Sequence, residues 1–160
     1  MSGELAAVAA RWGLSARERI RHTIAAYTIA GDSLRHEELA AGSPRTAFSK
    51  WMGRETAQGR DAIAAMLARH AGAGAPDGPG ESFFIRHFVA DVLIEDLTPT
   101  SARGLAYFAV FTPAGPDHWG RYRDEFVSIA DRWLLRRRFV RVDSSAPGSW
   151  YRRAFDPKSE

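Results

Sequence analysis

From Phe83 to Val142 the sequence carries four strand-like segments in succession: Phe83 to Glu95, Arg103 to Thr112, Arg121 to Ile129 and Trp133 to Val142. The pieces between them are short and hold turn formers, among them Pro99, Pro113, Gly115, Pro116 and Asp131. Parallel neighbours would each need a crossover of about a dozen residues, so these strands are expected to pair as an antiparallel meander. Their alternation is imperfect: His87, Asp91, Arg123, Glu125 and Arg137 stand among large apolar side chains. A flat sheet lying on helices leaves one clean polar face. A strongly curved sheet wrapped around a partly polar cavity produces the observed mixture.

The half before residue 71 is helical. Ser15 followed by Glu18 has the capping-box pattern, and Ile20, Ile24, Tyr27 and Gly31 recur at helical spacing, which predicts a helix from Ser15 to about Gly31-Asp32 behind a short leading helix. A second short helix is expected over Ser33 to Ala41, with Ser33 as cap and Leu34 and Leu39 on its apolar side, ended by Gly42-Ser43-Pro44. Ala47 to Met52 reads as a short strand. Gly59 to His70 reads as a third helix with Ile63, Met66 and Leu67 in a stripe among alanines. Ala71 to Ser82, dense in Gly and Pro, is a loop between the two halves. Helices followed by a strand meander define the α+β class.

At 160 residues the chain is one domain by size. The expected organisation is a helical extension over residues 1–14, a core domain over 15–143 and a tail over 144–160. No apolar run approaches the roughly 18 residues of a membrane span, and Met1 to Trp12 carries Glu4 without the pattern of a signal peptide, so a cytoplasmic protein without membrane contact is expected. With no cysteine, thiolate catalysis, disulfides and Cys-bearing metal sites are excluded. The five histidines, His22, His36, His70, His87 and His118, show no ligand spacing, and no metal is expected. The net charge of +3 comes with only two lysines, Lys50 and Lys158, and no nucleic-acid motif accompanies the arginines. Motifs for a nucleophile elbow, a phosphate loop, a dinucleotide turn and a zinc-protease helix are all missing.

Two positions stand out. Asp32 falls at the C-terminal end of the expected long helix, where the macrodipole disfavours a carboxylate. His87 lies in one of the most apolar strands, between Ile85 and Val89, and so faces a core or a cavity. Imidazole suits proton transfer near neutral pH. On the residues alone two readings stand: a core histidine with an aspartate serving a turn, or a working acid–base pair.

The order of segments, with Gly59-Arg60-Asp61-Ala62-Ile63 in the third helix, Ile85-Arg86-His87-Phe88-Val89-Ala90-Asp91 in the first long strand, and Arg132-Trp133-Leu134-Leu135 with Arg138 in the last, resembles the SnoaL-like branch of the NTF2-like superfamily from about Ile20 to Asp143. The resemblance implies a cone-like curved antiparallel sheet closed by about three helices around a deep pocket. It also implies a choice of roles: polyketide cyclase, scytalone-dehydratase-like or dehydrochlorinase-like lyase, ketosteroid-isomerase relative, or small subunit of a ring-hydroxylating dioxygenase. In the dehydratase-like members a first-helix aspartate orients a strand histidine, and the matching residues are Asp32 and His87. Two departures touch the substrate contacts: Asp91 stands four residues after the histidine where asparagine is usual, and Ser43 to Phe48 replaces an acidic-aromatic segment.

The expected activity is cofactor-independent elimination, isomerisation or cyclisation of a small hydrophobic, polyketide-like substrate. The alternative is a noncatalytic ligand carrier or an oxygenase small subunit. Tyr27, Phe48, Trp51, Tyr107, His118, Trp119, Tyr122 and Arg137 complete the candidate substrate-binding set. His118 sits in Gly115 to Tyr122, read as a loop entering a strand, and is either a second acid or a solvated histidine. Of Arg136, Arg137 and Arg138, which cannot all share one face of a strand, Arg137 is the candidate for a substrate anion, and the surface reading pairs these arginines with Asp124 and Glu125. The apolar tail Trp150 to Phe155 is expected to cover a sheet edge or a partner subunit in a homo-oligomer, dimer or trimer.

Overall fold

The computed structural model describes residues 2–51, 55–72 and 84–155. Helix α1 (Ser2–Asp32) is followed by α2 (His36–Ala41), strands β1 (Phe48–Trp51) and β2 (Glu55–Gln58), helix α3 (Arg60–Gly72), the long strands β3 (Arg86–Glu95), β4 (Ser101–Thr112), β5 (Gly115–Ile129) and β6 (Arg132–Ser145), and helix α4 (Trp150–Phe155). The six strands form one curved, unclosed sheet in the order β2-β1-β6-β5-β4-β3. The expected meander is β3 to β6, antiparallel throughout. The short strand β1 joins it parallel to β6 and continues into β2, an arrangement the sequence patterning did not announce.

Ser15 does not start a helix. Helix α1 runs unbroken through Gly13 and Ser15, because Ala-rich flanks favour propagation and one glycine costs only about 1 kcal/mol against it. Its first turns project with Leu5, Val8 and Leu14 exposed, and packing starts at Ala16, Ile20 and Ile24, which meet Ile94, Phe126, Trp133 and Leu135 of the sheet. The helix ends in a Schellman-type turn: Arg35 N–H bonds to the Ala30 carbonyl at 2.8 Å and Leu34 N–H to that of Gly31 at 3.0 Å, with Leu34 at φ 57°. This turn occupies Ser33 to Arg35, so α2 begins at His36 and Ser33 is not its cap. A second apolar cluster of Ala30, Leu39, Ala47, Ala57, Ile63 and Met66 ties α1, α2 and α3 to the β1–β2 hairpin.

Four irregularities bend the long strands and decide which side chains face the helices. Beside Asp91 (φ 51°) the β3–β4 register skips one residue, so the inward series passes from His87 and Val89 to Val92 and Ile94. In β6 the partners change from Phe126↔Leu135 to Glu125↔Arg137, leaving Arg136 as the extra residue. Trp133 and Leu135 therefore face inward before that bulge, and Arg138 and Val140 after it. A third bulge sits at Asp117, between Val110↔His118 and Phe111↔Pro116. At the fourth, Gly120 is packed so closely on β6 that a Cβ would collide with the Arg141 carbonyl oxygen.

Candidate active site

The concave face of the sheet and helices α1 to α3 enclose a chamber of about 120 Å³. Its apolar wall comes from Leu34, Leu39, Met66, Leu67, Ile85 and Val140. Its polar groups are His87, His118, Tyr27, Thr28, Tyr122, Arg138, His36 and Ser49. Three of these are each held by a carboxylate: His87 by Asp32 of α1, Arg138 by Asp124 of β5, and His118 by Asp117 of its own strand.

Strand β3 is an edge strand, so one row of its backbone donors has no strand to pair with. Asp32, the last residue of α1, takes up this vacancy: its Oδ2 accepts the His87 backbone N–H at 3.0 Å while Oδ1 lies 2.6 Å from His87 Nδ1. A carboxylate only accepts, so Nδ1 carries a proton, and in the neutral ring Nε2 is the free acceptor on a ring that lines the chamber. The pair is partly accessible, with side chains 26% and 10% exposed.

His118 lies two strands away in the same row of the sheet, since His87 and His118 both pair with Val110. Directly opposed residues project to the same face. The ring of Phe108 packs against both, with centroids 6.5 Å from His87 and 5.9 Å from His118. Far from being a solvated loop residue, His118 is inside β5 and 3% exposed, with Nδ1 2.8 Å from Asp117 Oδ1. Burial pushes its pKa below the usual imidazole value, the Asp117 carboxylate opposes that, and the His87 charge adds to it.

The third group is Arg138. Its Nε and Nη2 donate to the two carboxylate oxygens of Asp124 at 2.9 and 2.7 Å, and the guanidinium lies 4.5 Å from the Tyr27 ring and 4.0 Å from that of Tyr122. Burial works against the guanidinium charge, but Asp124 more than compensates and its pKa is raised. Burial likewise raises both phenols, against the pull of Arg138, so Tyr27 and Tyr122 keep their protons and remain donors.

The structure thus brings His87, Tyr27, His118 and Tyr122 to one chamber, with Asp32 behind His87. It places the other candidates elsewhere. Tyr107 and Trp119 are on the convex face, 51% and 40% exposed. Phe48 packs on Phe139 and under the Arg137 guanidinium, outside the chamber. Arg137 itself pairs with Glu125 at the surface, because the Arg136 bulge turns it outward and Arg138 inward. Trp51 ends β1, and its side chain lies outside the described residues. Sequence reasoning passed over Arg138, Phe108 and Trp150 as lining residues and Asp117 as a partner; the adjacency of Asp117 to His118 was a visible signal.

A curved sheet closed by helices over a chamber of this kind defines a small-ligand-binding α+β fold. The chain belongs to the SnoaL-like domain family, whose profile matches residues 12–139. No curated protein matches it. Among solved structures it is similar to a Novosphingobium aromaticivorans protein provisionally named scytalone dehydratase, at 19% identity, 84% of this chain, 88% of that one and TM-score 0.72. It is also similar to an NTF2-like protein with a cystatin-like fold from the same species (24%, 89% and 92%, TM-score 0.67) and to the beta subunit of an aromatic-ring-hydroxylating dioxygenase, also provisionally named, again from that species (17%, 82% and 92%, TM-score 0.67). At these identities the likeness is one of fold. No helix among the described residues is long and apolar enough to cross a membrane.

Proposed function

We propose that this chain is a cofactor-independent acid–base enzyme of the lyase, isomerase or cyclase type, with His87 as the proton-transfer group and Asp32 as its orienting carboxylate. The observation that carries the reading is the 2.6 Å contact between Asp32 and His87 Nδ1 on a ring lining an apolar chamber. Nε2 removes a proton from a carbon next to a carbonyl, and the C–H electron pair moves into the enolate. Asp32 stabilises the imidazolium so formed. The imidazolium then gives the proton to a departing hydroxyl, releasing water, or to another carbon, shifting the double bond. Tyr27, Tyr122 and Arg138 supply donors and positive charge for the enolate oxygen. His118 is the second imidazole available to a proton at the far side of the ligand.

Cavity size bounds the substrate. A cavity of about 150 Å³ accommodates benzene, so a chamber of about 120 Å³ that is open on one side takes up at most about one ring, with any further bulk of the substrate toward the opening. The test is incubation of the full chain in D2O, without added cofactor, with single-ring β-hydroxy ketones and cyclic 1,3-diketones, following deuterium uptake and loss of water by NMR. Turnover of at least one compound is expected, reduced about 100- to 10,000-fold in His87→Gln. Equal turnover by the variant, or none by the parent across the panel, counts against the assignment.

A second reading, a structural subunit, draws support from the convex face, where Phe88, Tyr107 and Trp119 are 61%, 51% and 40% exposed. It is favoured if the parent is inert toward every compound.

A further inference from the structure

Asp117 is the extra residue of the β4–β5 bulge, and the bulge has a chemical consequence. Successive residues of a regular strand point to opposite faces. Here Asp117 and His118 are both 3% exposed, and the side chain of one reaches the ring of the other. The Asp117 carboxylate also receives the C-terminal helix. Its Oδ2 accepts the Trp150 N–H at 2.6 Å and its Oδ1 the Tyr151 N–H at 3.1 Å, the first two amides of α4. The Asp117 carbonyl accepts the Ala146 N–H at 2.7 Å, which fixes the approach to that helix. Trp150 then forms part of the chamber wall, and the Tyr151 ring stacks on His118 at 4.7 Å and 27°.

We propose that Asp117 is the positioning residue of a second proton-transfer histidine, His118, and that the C-terminal helix α4 is a working part of that unit. This rests on the acid–base reading of the chamber. One buried carboxylate, satisfied by two helix amides and an imidazole N–H, is aimed at Nδ1 only while α4 is seated. Being acceptor-only, it keeps the His118 proton on Nδ1 and bares Nε2, the tautomer that Asp32 imposes on His87. The two histidines stand on either side of Val110, roughly 10 Å apart at the backbone by two strand spacings. They suit a conjugated carbonyl compound in which the C–H that loses a proton and the atom that gains one lie at opposite ends. The charged or titratable groups facing His118 are Asp117 on its own strand, His87 on β3 and Tyr151 on α4; Tyr27, Tyr122, Arg138 and His36 line the same chamber.

The experiment needs no substrate. In the full chain, long-range 1H–15N correlation reads the tautomer and titration of each imidazole, and hydrogen exchange reads the Trp150 and Tyr151 amides. In the parent, His118 is expected as the Nδ1–H tautomer, titrating below an ordinary imidazole. In Asp117→Asn, loss of the negative charge lowers that titration further, the tautomer becomes mixed, and the two amides exchange about tenfold faster, the loss expected for a charged acceptor. The His87 tautomer stays unchanged, which reports an intact fold. Should Asp117→Asn not fold, Tyr151→Ala loosens α4 without touching the carboxylate and is expected to mix the His118 tautomer alone. An Nε2–H tautomer in the parent, or a His118 signal indifferent to the substitution tested, overturns the proposal. Because these signals are independent of turnover, the proposal can fail while His87→Gln still abolishes activity, and an inert parent that gives the expected signals counts against the acid–base reading and not against the Asp117–His118–α4 geometry.

Discussion

Arg137 and Arg138 are neighbours in β6, and each pairs with a carboxylate on β5 from its own cross-strand partner, Glu125 for one and Asp124 for the other. Chemically the two pairs are alike; their surroundings differ. The Arg138–Asp124 side chains are 4% and 2% exposed, with the guanidinium between two tyrosine rings, whereas Arg137 and Glu125 are 43% and 28% exposed and share the carboxylate with Arg136. Water screens the outer pair and lets either partner stand alone, so the pair adds little. The inner pair is shut off from water, so a lost partner there goes unreplaced. Three carboxylate pairs line or back the chamber: Asp32–His87, Asp117–His118 and Asp124–Arg138.

The contrast is sharpest in stability. Arg138→Met leaves Asp124 buried and uncompensated and is expected to cost about 3–5 kcal/mol in urea unfolding, while Arg138→Met with Asp124→Leu recovers most of that loss. A single variant within about 1 kcal/mol of the parent would break the comparison.

Acid probes the same face more gently. His118 has a folded pKa below its unfolded value, with burial as the main cause. Between those two values the unfolded chain binds the more protons, so the stability this residue contributes is complete above the unfolded pKa, about 6.5, and drains as pH falls toward the folded one. The parent should lose urea midpoint on acidification from pH 7.5, by at most about 1.4 kcal/mol per pH unit from this proton, and His118→Gln should flatten that part of the curve. Identical pH dependence in parent and variant refutes the assignment.

The smallest effects belong to the convex face. Arg137→Met and Tyr107→Ala should each shift stability by about 0.5 kcal/mol or less and leave any chamber ligand's Kd unchanged. An altered Kd in either would extend the site beyond the chamber.

The meander, the helical half and the residues Asp32 and His87 were legible because they are written in local periodicity, turn formers and the resemblance those segments carry. The choice between Arg137 and Arg138 was not. Strict alternation from Trp133 and Leu135 aims Arg137 inward, and only the extra residue Arg136 against Glu125 and Phe126 reverses it. The same holds for His118, whose glycine- and proline-bearing approach reads as a loop yet pairs as strand from Gly115. The continuity of α1 through Ser15 was equally hidden, since a capping pattern marks a start only where the preceding residues leave the helix.

By itself the sequence determined the class of fold, the succession of its elements and the presence of an aspartate and a histidine in segments that this fold carries. The tertiary structure alone decided which polar side chains enter the chamber, that residues 55 apart meet through two contacts of 2.6 and 3.0 Å, and that the C-terminal helix starts on the carboxylate beside His118. Periodicity is a property of one strand, whereas a bulge is a mismatch between two, and the facing of every residue beyond it depends on the partner.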